Sequence, residues 1–82
     1  MNIDEKLKSI IKGIANVEIV EGTINDETIL TMDLKFDSIQ IIELIVELET
    51  QFEIKLDEED LDLEKLSVYK NLFKLVEDKL ND

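Results

Sequence analysis

The chain has 82 residues and 44% hydrophobic side chains, room for one small domain with a packed core and too apolar for wholesale disorder. Its lack of Cys and His excludes disulfides and thiolate zinc sites, and removes the usual general base and commonest metal ligand. Nine Lys and no Arg against 21 carboxylates give a net charge of -12, a surface that a phosphate backbone would repel, so nucleic-acid binding is excluded.

Ile3, Leu7, Ile10, Ile11 and Ile14 fall on one face at helical spacing, and Asn2 with Glu5 three residues on reads as a capping box. Gly13 and Asn16 mark the expected end of this first helix. The start Asn2-Ile3-Asp4-Glu5 has neither the basic residues nor the apolar stretch of a secretory signal, and no apolar run reaches bilayer length. A cytoplasmic protein with no membrane span is the expectation.

Residues 15–37 hold no sustained period. Positions 17–20 alternate like a short strand but find no partner, so a long loop is expected, pinned by Ile19, Ile24, Leu30 and Leu34. A second helix over about 38–52 is apolar nearly all round, as in the centre of a bundle, with one polar stripe of Gln40, Glu43, Glu47 and Thr50. A turn then leads to a short acidic helix capped by Asp57, with Leu61 and Leu63 directed inward. Val68, Leu72, Leu75 and Val76 trace the last helix, with Ser67 as its N-cap. Ile45, Leu48, Leu66, Leu72 and Phe73 are candidates for the interior. The expected fold is all-α: a small four-helix bundle of three main helices and one short one, with a long loop between helices one and two. Residues 1–82 form a single domain in this reading.

The charge is uneven. Residues 37–64 hold eleven carboxylates and only Lys55, a net of -10, whereas residues 1–36 carry -3 and residues 65–82 carry +1. Such a field suits steering toward basic partners, although surface charge also serves solubility alone. The run Asp57-Glu58-Glu59-Asp60-Leu61-Asp62 is not an EF-hand loop, because Leu61 breaks the ligand alternation and no Gly makes the turn, so no specific metal site is expected.

Ser38 lies where the long loop meets the second helix. A hydroxyl at a helix N-terminus sits among free backbone N–H groups and the positive end of the dipole, a setting that accepts phosphate. The plain alternative is that Asp37 or Ser38 caps the helix, with Gln40 completing a capping box. Asp33-Leu34-Lys35-Phe36-Asp37-Ser38-Ile39, followed by Glu43-Leu44, Leu48-Glu49 and Phe52, resembles the acyl carrier protein family over essentially the whole chain. The resemblance implies 4'-phosphopantetheine from coenzyme A attached to Ser38 by a phosphopantetheinyl transferase, with Asp37 helping to engage that enzyme. It makes the second helix a docking face, here Ile39, Gln40, Ile42, Glu43, Val46, Glu47 and Glu49, for acyl-transferring and condensing enzymes with basic patches. The protein itself would be a monomeric substrate of those enzymes, not a catalyst.

Three departures stand out. Lys35 replaces the family's usual glycine, so a left-handed backbone there would carry some strain. Gln40 replaces an acidic residue frequent in fatty-acid carriers, and the third-helix region is one residue longer. Fatty-acid and polyketide or other specialised pathways both fit, and the departures lean to the latter. An aminoacyl carrier, or an acidic interaction or inhibitor protein without a prosthetic group, are the alternatives.

Overall fold

The computed structural model describes residues 2–20 and 22–81; Met1, Glu21 and Asp82 lie outside them. The first apolar stripe forms α1 (Ile3–Ile14), burying Leu7 and Ile11, with the Asn2 side chain accepting from Glu5 N. The helix stops at Ile14, and Ala15 closes it with a bond from its N–H to the Ile11 carbonyl at 3.0 Å. Residues 17–20 form no strand. Ile24, Leu30 and Leu34 are buried and Ile19 packs against the core, so the loop is pinned as expected.

Within that loop the chain makes a helical turn that helical periodicity did not reveal, α2 (Leu30–Asp33). It is followed by α3 (Ser38–Phe52), whose Ile41, Leu44, Leu48 and Phe52 recur at three- and four-residue spacing and fill the core. Because α3 packs against α1, α4 and α5, it occupies the middle of the bundle. Its end is set by Glu53, in the left-handed region at φ 54, and by Glu49, whose Oε2 accepts from Leu56 N at 3.0 Å.

The expected short acidic helix is instead two separate turns. Asp57 caps a 3₁₀ turn at Glu58–Asp60, and α4 (Leu63–Leu66) follows. Leu61 and Leu63 are 46% and 51% exposed, so they do not point inward; Leu56 and Leu66 fill the core from this segment. The last helix, α5 (Tyr69–Leu80), has Val68 at its N-cap, not Ser67. The Ser67 hydroxyl is turned the other way and donates to the Glu64 carbonyl at 3.0 Å, closing α4.

Non-local backbone bonds tie the loop to the start of α5. Leu30 N donates to Ser67 O at 2.6 Å and Tyr69 N to Thr28 O at 2.9 Å, around an antiparallel bridge between Ile29 and Val68. Buried Tyr69 also donates its hydroxyl to the Asp4 carboxylate, joining α5 to the first turn of α1. That bond, then one from Lys8, holds Asp4 below the usual carboxylate range, while burial and then Asp4 push the Tyr69 phenol far up. The result is an all-α bundle, as the sequence predicts. None of the described helices is long and apolar enough to cross a membrane.

Candidate functional site at the start of the central helix

The approach to α3 is held by alternating burial. Leu34 and Phe36 are 3% and 4% exposed, and Phe36 N donates to the Leu30 carbonyl at 3.0 Å. Asp33 secures the same turn by accepting from Ile29 N at 2.7 Å. Between the two buried side chains Lys35 is exposed and takes φ 59, in the left-handed region that costs a lysine more than a glycine.

Asp37 then caps α3. Its Oδ1 accepts from Gln40 N at 2.9 Å, and Gln40 Oε1 accepts from Asp37 N at 3.0 Å, a complete capping box. The Gln40 amide nitrogen goes on to donate to the Ile14 carbonyl at 3.3 Å, fastening the start of α3 to the end of α1.

This settles which residue caps the helix. Because Asp37 is the N-cap and its side chain takes Gln40 N, Ser38 sits one position inside the helix as an exposed residue whose hydroxyl makes no hydrogen bond among the described residues. The N–H groups of Ser38 and Ile39 are likewise without partners there. A phosphodiester on Ser38 Oγ would meet two free donors and the positive end of a 15-residue helix, so the residues present fit a phosphopantetheine arm.

Along α3 the expected docking residues separate. Ile39, Ile42 and Val46 are 66%, 59% and 53% exposed at i, i+3 and i+7, an uncovered apolar stripe on an otherwise core-forming helix. Glu43 is exposed and Glu47 half-buried, and both line an open groove against Ser9, Ile10 and Gly13 of α1. Gln40 does not belong to this face: it is buried at 7% exposure because its amide serves the cap and α1. Glu49 is half-buried, with one carboxylate oxygen held by Leu56 N.

Exposed apolar surface also occurs away from the expected docking residues. Met32 is 66% exposed, and Leu61 and Leu63 project from the acidic segment. The signal for Met32 was its place between Leu30 and Leu34, both of which face the core. Among the described residues there is no group of three acidic side chains arranged to hold a metal ion.

Residues 5–73 match the family described as phosphopantetheine attachment site. The chain is 36% identical over 78 residues to the acyl carrier protein of Buchnera aphidicola subsp. Schizaphis graminum, covering 95% of this chain and 94% of that one. It is also 36% identical over 78 residues to the acyl carrier protein of Thermotoga maritima, with 95% and 91% covered, and 32% identical over 77 residues to that of Petrotoga mobilis, with 94% and 86% covered. An unbonded serine beside a self-contained aspartate cap thus lies inside a match spanning nearly the full length of established carriers: the chain belongs to the acyl carrier protein family, with 4'-phosphopantetheine as its prosthetic group.

Proposed function

We propose that Ser38 is the attachment residue and that residues 1–82 act as one monomeric carrier unit in the cytoplasm, passing acyl intermediates between the enzymes of fatty-acid or polyketide-type synthesis. The observation that carries this reading is the division of labour at the helix start. Asp37 does the capping, which leaves the Ser38 hydroxyl exposed and free to react.

Attachment forms a bond from Ser38 Oγ to the pantetheine-side phosphorus and breaks the pyrophosphate of coenzyme A, releasing adenosine 3',5'-bisphosphate, with the hydroxyl proton passing to a base of the transferase. The arm supplies a terminal thiol that holds acyl groups as thioesters, which a chain without Cys cannot do unaided. The residues of the chain position it: the left-handed turn at Lys35 and the Asp37–Gln40 box fix Ser38 at the tip of α3. Asp37, exposed beside it, would engage the transferase with the face of its carboxylate turned to solvent.

The docking face in this proposal is Ile39, Ile42 and Val46 with Glu43 and Glu47, and Glu49 at its edge; Gln40 supports it from behind. Its partners are the phosphopantetheinyl transferase and acyl-transferring and condensing enzymes with basic patches. Apolar contact supplies binding energy, and the surrounding carboxylates supply orientation and encounter rate.

The test is intact-protein mass spectrometry after incubation with coenzyme A, magnesium and a broad-specificity phosphopantetheinyl transferase. Wild type should gain one phosphopantetheine and Ser38→Ala none. No gain by folded wild type with several transferases, or an equal gain by Ser38→Ala, would overturn the assignment.

A further inference from the structure

We propose that Lys35 is a positioning residue for the phosphodiester of the prosthetic group, its ammonium pairing with the negative charge that attachment places next to Asp37. The inference rests on Ser38 as the attachment residue. Lys35 is the sole cation between residues 13 and 54, in a chain of net charge -12. It is exposed and makes no ion pair among the described residues.

The two carboxylates closest in sequence are engaged with the backbone. Asp33 Oδ2 accepts from Ile29 N at 2.7 Å, and Asp37 Oδ1 accepts from Gln40 N at 2.9 Å. Local folding gives no reason for a lysine at this position. Its φ of 59 belongs to the left-handed region, where glycine would hold the same turn with less strain. Lys35 itself is exposed between the buried Leu34 and Phe36, so it is not part of the core. What distinguishes the side chain is its charge.

Three residues span at most about 10 Å, and a lysine has a flexible four-carbon stem with three donors at its end. The phosphodiester would carry one negative charge into the most acidic third of the chain, beside the Asp37 carboxylate. The N–H groups of Ser38 and Ile39, without partners among the described residues, would be available to it at the helix start. Lys35, three residues earlier, supplies the full positive charge that these dipoles lack. It also biases where the arm leaves the protein surface.

The test compares unmodified and phosphopantetheinylated forms of wild type, Lys35→Gly, Lys35→Gln and Lys35→Arg, with loading confirmed by mass. A purely structural role would alter both forms of each variant equally. Pairing predicts that attachment shifts the melting temperature of wild type and Lys35→Arg upward by about 2–5 °C more than it shifts that of Lys35→Gly and Lys35→Gln, at about 0.01 M salt. The difference should vanish near about 1 M salt, where screening acts within about 3 Å. The ³¹P resonance of the arm should move in Lys35→Gln and stay near the wild-type position in Lys35→Arg.

Equal shifts on attachment in all four proteins would overturn the role of Lys35 while leaving Ser38 in place. A difference that survives high salt, or a ³¹P resonance unaffected by charge removal, would also overturn it. Failure of wild type to load would instead remove the attachment assignment, and this inference with it.

Discussion

At Asp37 and Ser38, two adjacent polar side chains at one helix end have separate tasks. The structure gives Asp37 both halves of a capping box, whereas Ser38 makes no hydrogen bond from its hydroxyl among the described residues. Loss of a good N-cap costs about 1 kcal/mol, and a domain of this size loses about 4–8 °C for each kcal/mol. Asp37→Ala should therefore melt several degrees lower than wild type, because Gln40 N loses its acceptor while the backbone bond from Asp37 N to Gln40 Oε1 survives. Ser38→Ala removes an exposed, unbonded oxygen and introduces the best helix former, so its stability should stay within about 0.5 kcal/mol of wild type. Thermal melts followed by circular dichroism, run beside the mass assay, separate the two residues. A Ser38→Ala protein that melts as low as Asp37→Ala would mean that the hydroxyl holds the helix start after all. That Asp37 or Ser38 caps the helix, with Gln40 as the box partner, was legible in the sequence because capping is local and depends on residues three apart. The inward turn of Gln40 was not, since it depends on the Ile14 carbonyl, which folding brings from 26 residues away.

As an element, α3 combines a core face with an uncovered apolar stripe, a pairing that water alone does not favour. Ile41, Leu44, Leu48 and Phe52 look inward, while Ile39, Ile42 and Val46 remain mostly exposed, with Glu43 and Glu47 along the α1 side. If this is the docking face, Glu43→Lys with Glu47→Lys should weaken encounter with a basic partner without unfolding the helix. Exposed ion pairs are worth about 0.2–1 kcal/mol each, so losing two of them should lower transferase kcat/KM by about 2–30-fold at low ionic strength. The loss should shrink as salt screens the field. Unchanged kcat/KM in a variant with a normal melt would move docking elsewhere, with Leu61 and Leu63 the next surface to test. The apolar character of α3 was plain in the sequence, and its 38–52 boundaries were readable because a long period and a cap agree. Its neighbours were harder to read. α2 and the 3₁₀ turn at Glu58–Asp60 are too short for any period to emerge, and residues 56–66 could be read as one helix until Leu61 and Leu63 proved exposed. Ser67 suits an N-cap by residue type, but the bond from Leu30 N to its carbonyl and the Ile29–Val68 bridge set the start of α5 one residue later. Those contacts cross more than 35 positions and leave no local trace.

For the whole molecule, the opposing term is self-repulsion. The described chain spans 33 × 26 × 21 Å and the full sequence carries -12, with the excess concentrated in residues 37–64. Compensation is thin. Lys79 sits 3.3 Å from Asp57 and 2.9 Å from Asp60, and Lys8 sits 3.1 Å from Asp4, all partly exposed pairs that contribute little. At about 0.01 M salt the screening length is about 30 Å, comparable to the whole molecule, so nearly every carboxylate senses the others. At about 0.15 M it falls to about 8 Å, and only neighbours do. Raising sodium chloride over this range should therefore raise the melting temperature, although added salt usually weakens a protein stabilised by surface ion pairs. Magnesium at matched ionic strength should raise it further, since a divalent counter-ion neutralises two nearby carboxylates while losing the freedom of one ion. The response should be graded, because no cluster of three acidic ligands exists among the described residues. Calorimetric titration with magnesium, alongside melts in both salts, decides the matter. Sodium matching magnesium at equal ionic strength would reduce the effect to plain screening, and saturation at micromolar magnesium would reveal a formed site where the fold shows only diffuse charge.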